Sequence, residues 1–284
     1  MRKRDPFLIV ALWASLGGVL LFYLIPFLGS AVYAFTNNPI QKQFVGFANF
    51  IELTHNAFFL LGLKNTLVFM VLAIPLGMLL SLVLALWVKS MKRGAGVFTL
   101  AFLLPLVIPS ATIAQNFMTF YLHLLNFLHQ LAGLAPVQEL SAWESRWLMV
   151  LIYLWKYSGY HMVLLQAGLY AIPEEYYQCA SLFGAGRWQR FLHVTMVYLC
   201  PSFFLTFLMS FVNSFKIFRE IYFLYGGYPG EGTYLLQHFM NSTLLSLNFQ
   251  KLVSASVSDG QPKEHCRSVA RTQNLSQMKI LQIQ

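Results

Sequence analysis

The sequence predicts an all-α integral membrane protein with about five membrane-spanning helices. Of its 284 residues, 57% are hydrophobic and 10% are charged, and the mean hydropathy is +0.59. This apolar content exceeds what a single soluble core can enclose, so lipid is expected to be the main solvent. The aromatic content of 16%, with 26 phenylalanines, fits side chains that face acyl chains or headgroups. Composition therefore favours a polytopic helical bundle in the cell membrane.

Five apolar runs reach the length of about 20 residues that a helix needs to cross the hydrocarbon. They are approximately Phe7–Phe35, Thr66–Val88, Val97–Tyr121, Leu148–Ala171 and Val194–Phe218. The first run follows the basic segment Arg2–Arg4 and lacks a small-residue cleavage site. We therefore predict an uncleaved anchor with a cytoplasmic N-terminus.

Basic residues flank these runs and predict the orientation of the chain. Lys89, Lys92 and Arg93 follow the second run, and Arg187 and Arg190 precede the fifth. By the positive-inside rule both loops are expected in the cytoplasm, and the charge-poor segments 36–65 and 122–147 outside. The net charge of +9 would favour nucleic acid in a soluble domain, but here its placement indicates a lipid bilayer as partner and no nucleic acid.

The chain is predicted to have three parts: residues 1–60 as an anchor span with an outer loop, 61–253 as the core of the membrane bundle, and 254–284 as an atypical polar tail. No apolar run long enough for a sixth span follows Gln250. Two interpretations stay open: the chain ends naturally after five spans, or the tail is a truncated or shifted reading whose residues are not those for which the fold was built. Cys179, Cys200 and Cys266 have no metal-binding or redox spacing, so neither a disulfide nor a metal site is predicted.

The segment between the fourth and fifth runs predicts a short helix in the loop. Pro173 suits a first helical position, two glutamates follow it, and Gly184 can end the helix in a left-handed conformation. Tyr176, Ala180 and Phe183 then share one face, which would meet water unless a partner protein covers it. A surface helix lying on the bilayer is the alternative.

The same loop resembles that of the permease subunits of bacterial carbohydrate-uptake ABC transporters. The positions in register are Ile172, Pro173, Ala180, Gly184, Ala185, Trp188, Gln189, Phe191 and Pro201. Shorter similarities precede and follow the loop, at Val45–Phe50, Asn65–Leu67, Ile74–Gly77, Leu104–Pro109, Phe215–Phe218 and Gly226–Pro229. The resemblance covers roughly residues 44–250. It implies a helical bundle of the ABC importer permease type, from which the family's sixth span is missing here.

In that family this loop, near residues 173–190, is a coupling helix that docks into a groove of the ATPase. The resemblance therefore implies an ATPase-coupling role for Glu175, Tyr176, Gln178, Ala180, Phe183, Gly184, Ala185 and Trp188. Gln178 and Phe183 stand where the family usually has charged residues, so apolar packing by Tyr176, Phe183 and Trp188 is the expected anchor.

The implied partners are ABC ATPase subunits, a second permease subunit, an extracytoplasmic solute-binding protein and a small solute, a sugar or similar molecule. The sequence contains no GxxxxGK[ST] motif, so no P-loop of its own can hold ATP. The chain is thus expected to bind no cofactor, with ATP used by the partner subunit.

Polar residues inside apolar spans are costly and are candidates for the solute path. These candidates are Gln115, Asn116, Lys156, Tyr160, Asn213 and Lys216. Lys156 and Tyr160 are one helical turn apart and share a face, where a sugar ring could bind. The alternative is that such groups bond between helices or snorkel to an interface, as Lys216 could.

Two other classes of protein compete with the importer subunit. A membrane enzyme would need clustered Asp, Glu or His residues, and the ten acidic residues are scattered. A secondary transporter would need an intramembrane carboxylate, and we expect no Asp or Glu well inside any span. The sequence therefore favours a transport subunit that is not an enzyme.

Overall fold

The computed structural model describes residues 6–36, 43–137 and 139–244, and almost all regular structure in them is helical. The chain divides into two compact units, Met1–Leu60 and Leu61–Gln284. Within the described residues, four helices are long and apolar enough to cross a membrane, and a bent pair of helices brings the number to five. The predicted fold class is confirmed.

The first unit contains a single candidate span. Helix α1 (Pro6–Val19) continues through a π-helical turn (Leu20–Leu24) into α2 (Ile25–Ala34). No residue of the segment Leu12–Val32 is buried by the chain itself, as expected for a helix whose side chains face lipid. After the span comes the short helix α3 (Ala48–His55).

The second unit is a bundle arranged around one buried helix. Its helices are α4 (Ala57–Ser90), α5 (Ala95–Val107), α6 (Ser110–Leu131), α7 (Ala142–Tyr170), α8 (Glu174–Leu182), α9 (Arg187–Arg190), α10 (Met196–Lys216) and α11 (Phe218–Tyr225). Helix α7 packs against α5, α6 and α10, and carries the largest buried side chains, among them Tyr153 and Tyr157. Residues 236–244 are also helical.

Close helix contacts in this unit depend on small residues. A Cβ added at Gly159 of α7 would lie 1.8 Å from the backbone oxygen of Phe102 in α5. A Cβ at Gly62 of α4 would lie 3.1 Å from the backbone of Leu236. Since lipid gives helices no hydrophobic reason to associate, such close backbone packing is a main source of bundle stability.

The third predicted span is formed by a sharply bent pair of helices. The run Val97–Tyr121 is divided between α5 and α6, which meet at an angle of 100°. Ile108 and Pro109 are extended at the break, with ψ angles of 134° and 139°. Proline disfavours a helical conformation in the residue before it, which explains why the helix stops here. Pro75, by contrast, lies inside the continuous helix α4.

The fifth span is longer than predicted, and its length corrects a second expectation. Helix α9, a π-helical turn (Phe191–Thr195), α10 and α11 together make one candidate span, Arg187–Tyr225. Glu220 lies within it and is fully buried. The predicted end of this span at Phe218 is therefore wrong, and the span includes an acidic residue near its end.

Two sets of contacts define the two ends of the bundle. At one end the Lys89 amino group donates to the Leu169 carbonyl at 2.9 Å and lies 5.5 Å from the centre of the Tyr177 ring. At the other end the Asn65 amide donates to the carbonyls of Glu231 and Tyr234, at 2.6 and 3.0 Å. The loop after α4 and the loop helix α8 thus share one end.

The predicted polar tail, residues 254–284, lies outside the described residues, as does Cys266.

Candidate functional site

A cavity of about 510 Å³ lies between the break in the third span and the helices α7 and α10. It is lined by Leu106, Ile108, Pro109, Ser110, Lys156, Tyr157, Tyr160, Met209, Val212, Asn213, Lys216 and Arg219. The extended residues at the break separate α5 from α6, and this opens the space that the cavity occupies. Its volume falls within the range of about 300–1,000 Å³ that is common for small-molecule sites.

Three side chains from three helices form a buried polar cluster beside this cavity. The Lys156 amino group of α7 forms an ion pair with the Glu220 carboxylate of α11, and the two side chains are 5% and 0% exposed. Ser110, the first residue of α6, donates to Glu220 Oε1 at 2.7 Å and accepts from Lys156 Nζ at 3.2 Å. We call Ser110, Lys156 and Glu220 the buried clamp. Their pairing offsets the cost of burying two charges in a membrane-spanning segment.

A second polar pair lies on the α10 side of the cavity. The Lys216 amino group donates to the Asn213 side-chain oxygen at 2.9 Å, and Asn213 is buried. Asn213 also approaches His161 of α7, with its amide nitrogen 3.4 Å from Nε2. Helix α10 therefore presents hydrogen-bonding groups to the same space as α7.

The structure brings together four of the six residues predicted for the solute path. Lys156 and Tyr160, on α7, and Asn213 and Lys216, on α10, all line the cavity. Gln115 and Asn116 are exposed on α6 and do not line it.

Sequence reasoning missed three residues of this region: Ser110, Arg219 and Glu220. A usable signal was present for the last, since a lysine inside an apolar span requires a counter-charge. Glu220 lies only two residues beyond the predicted end of the fifth span. Only the fold, however, places it against a lysine 64 positions earlier in the chain.

At the end of the bundle that holds Lys89, the loop between the last two spans exposes large apolar side chains. Leu182, Phe183 and Trp188 are 86%, 91% and 69% exposed. Gly184 has a φ angle of 78°, so it ends helix α8 in the left-handed conformation that the sequence predicted. Pro173 precedes the helix as its N-cap residue and does not occupy the first helical position.

Of the other coupling candidates, Ala180, Gly184 and Ala185 line a shallow groove together with Phe183, and Glu175, Tyr176 and Gln178 do not. Glu175 and Gln178 are exposed, and Tyr176 stacks on Tyr198 at 4.7 Å between ring centres. The groove has a volume of about 360 Å³ and is lined by Ala180, Phe183, Gly184, Ala185, Gln189, Arg190, His193 and Val194.

The exposed loop is firmly attached to the spans behind it. The hydroxyls of Tyr177 and Thr195 are 3.0 Å apart and join α8 to the fifth span. The Gln189 side chain accepts from the backbone N–H of Gly186 at 2.9 Å, and the Ala185 N–H donates to the Ala180 carbonyl at 3.0 Å. A force applied to α8 would therefore be transmitted to the spans, because the loop has fixed internal and external bonds.

The sequence profile of the family described as "binding-protein-dependent transport system inner membrane component" matches residues 73–257. The chain is 29% identical to the probable ABC transporter permease protein YurN of Bacillus subtilis over 247 residues, which are 83% of this chain and 85% of that protein. It is 27% identical to the trehalose/maltose transport system permease protein MalF of Thermococcus litoralis, over 82% of this chain and 80% of that protein.

Two solved structures have a similar fold. One is a bacterial ABC transporter involved in the import of the acidic polysaccharide alginate, with a TM-score of 0.63 and 24% identity over 82% of this chain and 80% of that chain. The other is a bacterial alginate ABC transporter in complex with a periplasmic protein that holds an alginate pentasaccharide. Its TM-score is 0.65 and its identity 22%, over 88% of this chain and 85% of that chain.

Proposed function

This chain belongs to the family of binding-protein-dependent transport system inner membrane components, and on that premise we propose how it works within an ATP-driven importer. It is the membrane-spanning permease subunit, and it forms part of the translocation path for a sugar or a similar small solute. A separate ATPase subunit binds and hydrolyses the ATP. A second permease subunit completes the path, and an extracytoplasmic binding protein delivers the solute.

The observation that carries this proposal is the exposed apolar surface of the α8 loop. The large apolar side chains of Leu182, Phe183 and Trp188 are 86%, 91% and 69% exposed. Phe183 also lines the groove. A contiguous apolar patch on a helix end is typical of a protein interaction site. An ATPase that binds this loop would cover these side chains. The hydrogen bond between Gly186 and Gln189 would keep the loop rigid, and the one between Tyr177 and Thr195 would transmit its movement to the fifth span.

The cavity supports the other half of the proposal. Tyr157 and Tyr160 offer aromatic faces beside the hydrogen-bonding groups of Asn213 and Lys216, the combination that binds sugar rings. The relatives support the same class of solute, since one of them is a trehalose/maltose permease. The break between α5 and α6 gives this wall of the cavity a point at which it can bend when the spans rock.

The proposed orientation places the α8 loop and the basic loop after α4 in the cytoplasm, with the N-terminus on the same side. Both loops lie at one end of the bundle, through the contacts of Lys89 with Leu169 and Tyr177. The positive-inside rule assigns that end to the cytoplasm.

The substitution Gly184→Arg tests the coupling role. A large charged side chain at the edge of the groove, on a backbone with positive φ, should prevent docking and abolish recovery of the ATPase in a pull-down from membranes. Gly133→Arg is the matched control, because Gly133 also has positive φ (68°) and open space around it but lies between α6 and α7. Unchanged ATPase recovery with Gly184→Arg would refute the proposed coupling.

A further inference from the structure

The cavity beside the buried clamp has an excess of positive charge, and we infer that it binds a solute that carries a carboxylate or phosphate group. This inference deepens the proposed transport function and rests on it. It concerns the chemical class of the solute, which the fold and the family leave open.

Three cationic side chains line the cavity: Lys156, Lys216 and Arg219. Among the described residues, no aspartate or glutamate lines it. Positive charges that are brought together around one cavity repel one another. Such a cluster is stabilised when a negative charge enters.

The nearest carboxylate compensates only one of these cations. Glu220 pairs with Lys156, and its bonded oxygen also accepts from Ser110. Lys216 and Arg219 are exposed and have no carboxylate partner among the described residues. Two positive charges therefore remain for a ligand.

Simple snorkelling does not explain the position of Lys216. A snorkelling lysine would direct its amino group away from the bundle towards the headgroups. Here the amino group donates at 2.9 Å to the side-chain oxygen of Asn213, which is buried and lines the same cavity. The charge is thus held at the cavity wall by a buried neighbour.

The remaining lining suits a ligand that is both anionic and saccharide-like. Tyr157 and Tyr160 offer ring faces, and Asn213 offers an amide that hydrogen-bonds hydroxyl groups. Ser110 begins helix α6, so the positive end of that helix dipole adds to the field of the cations. The volume of about 510 Å³ accommodates a small solute or part of a longer one.

The test measures equilibrium binding to the complete transporter, with this chain, its partner permease and its ATPase, in phosphatidylcholine nanodiscs. These lipids carry no net charge, so the anion comes only from the added probe. Trigalacturonate supplies carboxylates and sn-glycerol 3-phosphate supplies a phosphate, while maltotriose and glycerol are the neutral counterparts. Radiolabelled probes in equilibrium dialysis give the dissociation constants.

We expect at least one anionic probe to bind about tenfold more tightly than its neutral counterpart. Lys216→Gln and Arg219→Gln should each weaken binding of the anionic probe by about tenfold, and by more than they weaken binding of the neutral probe. Lys64→Gln removes an exposed cation outside the cavity, and should change neither affinity. The anionic probe that binds identifies whether carboxylate or phosphate is preferred.

Equal affinities for charged and neutral probes, or an anion affinity that survives both substitutions, would overturn the inference, as would the absence of saturable binding of both anions. Recovery of the ATPase with the chain in the same nanodiscs separates this result from the transport role. If the ATPase is recovered and anions are not preferred, the charge inference fails alone. If the ATPase is not recovered, the proposed function fails.

Discussion

The cavity region and the α8 loop differ in whether the chain itself provides contacts for their unusual residues. Around the cavity, the charged groups of Lys156 and Glu220 are buried and find partners within the chain. In the loop, the apolar side chains of Phe183 and Trp188 are exposed and find little cover within the chain. The cavity region buries charged groups that water would stabilise, whereas the loop exposes apolar side chains that water does not stabilise.

This contrast indicates whether the residues of each region are stabilised within the chain or by another protein. The buried clamp joins α6, α7 and α11 and needs no other protein, so its main role is to hold the bundle together beside the cavity. The loop exposes apolar side chains that the described residues leave uncovered, which suits the proposed contact with an ATPase. Substitutions in the buried clamp should therefore change stability, and those in the loop should change binding to the ATPase.

The largest expected effect comes from Glu220→Leu, which leaves the buried Lys156 without its counter-charge. Breaking a buried ion pair in this way costs about 3–5 kcal/mol of stability. The free energy of unfolding, measured by titration with sodium dodecyl sulfate in mixed micelles, should fall by that amount.

A double variant distinguishes the effect of an unpaired buried charge from the effect of changed packing. The double variant Lys156→Met, Glu220→Leu replaces both charges by apolar groups, and should recover most of the lost stability. If the single variant Glu220→Leu unfolds at the same detergent fraction as the original protein, the buried clamp does not hold the bundle.

A smaller loss is expected from Gly159→Ala, which tests how closely α5 must approach α7. The added methyl group would lie 1.8 Å from the Phe102 carbonyl oxygen, so the two helices would have to separate. Overpacking of this kind costs about 2 kcal/mol, measured in the same unfolding titration. Gly96→Ala is the control within α5, because a Cβ there meets nothing within 4 Å. Equal stability of both variants would contradict the tight contact.

The smallest change in free energy is expected from Phe183→Ala, and it should appear in binding alone. Because Phe183 is exposed, its truncation should leave the unfolding free energy unchanged within about 0.5 kcal/mol. Affinity for the ATPase should fall by about tenfold, measured by surface plasmon resonance with the nanodisc-embedded chain. Phe127→Ala removes another exposed phenylalanine, 58% exposed, from α6 and should not alter that affinity. Unchanged affinity of Phe183→Ala for the ATPase would show that Phe183 does not anchor this contact.

The sequence predicted the approximate positions of the spans because length and apolarity set them. It also predicted the short helix between the fourth and fifth spans, since Pro173 and Gly184 act through local backbone geometry. It did not predict the break at Ile108, because proline is tolerated inside some spans, as Pro75 shows in α4. Whether a proline bends or divides a helix depends on what packs around it.

The candidate site was only partly predictable for a related reason. In a water-soluble helix, apolar periodicity shows which face is buried, but lipid accepts apolar side chains on every face. Lys156 and Gln115 therefore looked equivalent in the sequence, although one lies at the cavity and the other is exposed. The missed Glu220 shows the same limit, since its partner is distant in the chain.

The sequence by itself determined that the chain spans a membrane and that a short helix lies between its fourth and fifth spans. These properties depend on composition and on residues that are neighbours along the chain. The tertiary structure alone decided that Ser110, Lys156 and Glu220 meet, and that two further cations remain beside a cavity. Such contacts join residues far apart in sequence, and only the packing of the helices brings them within hydrogen-bonding distance.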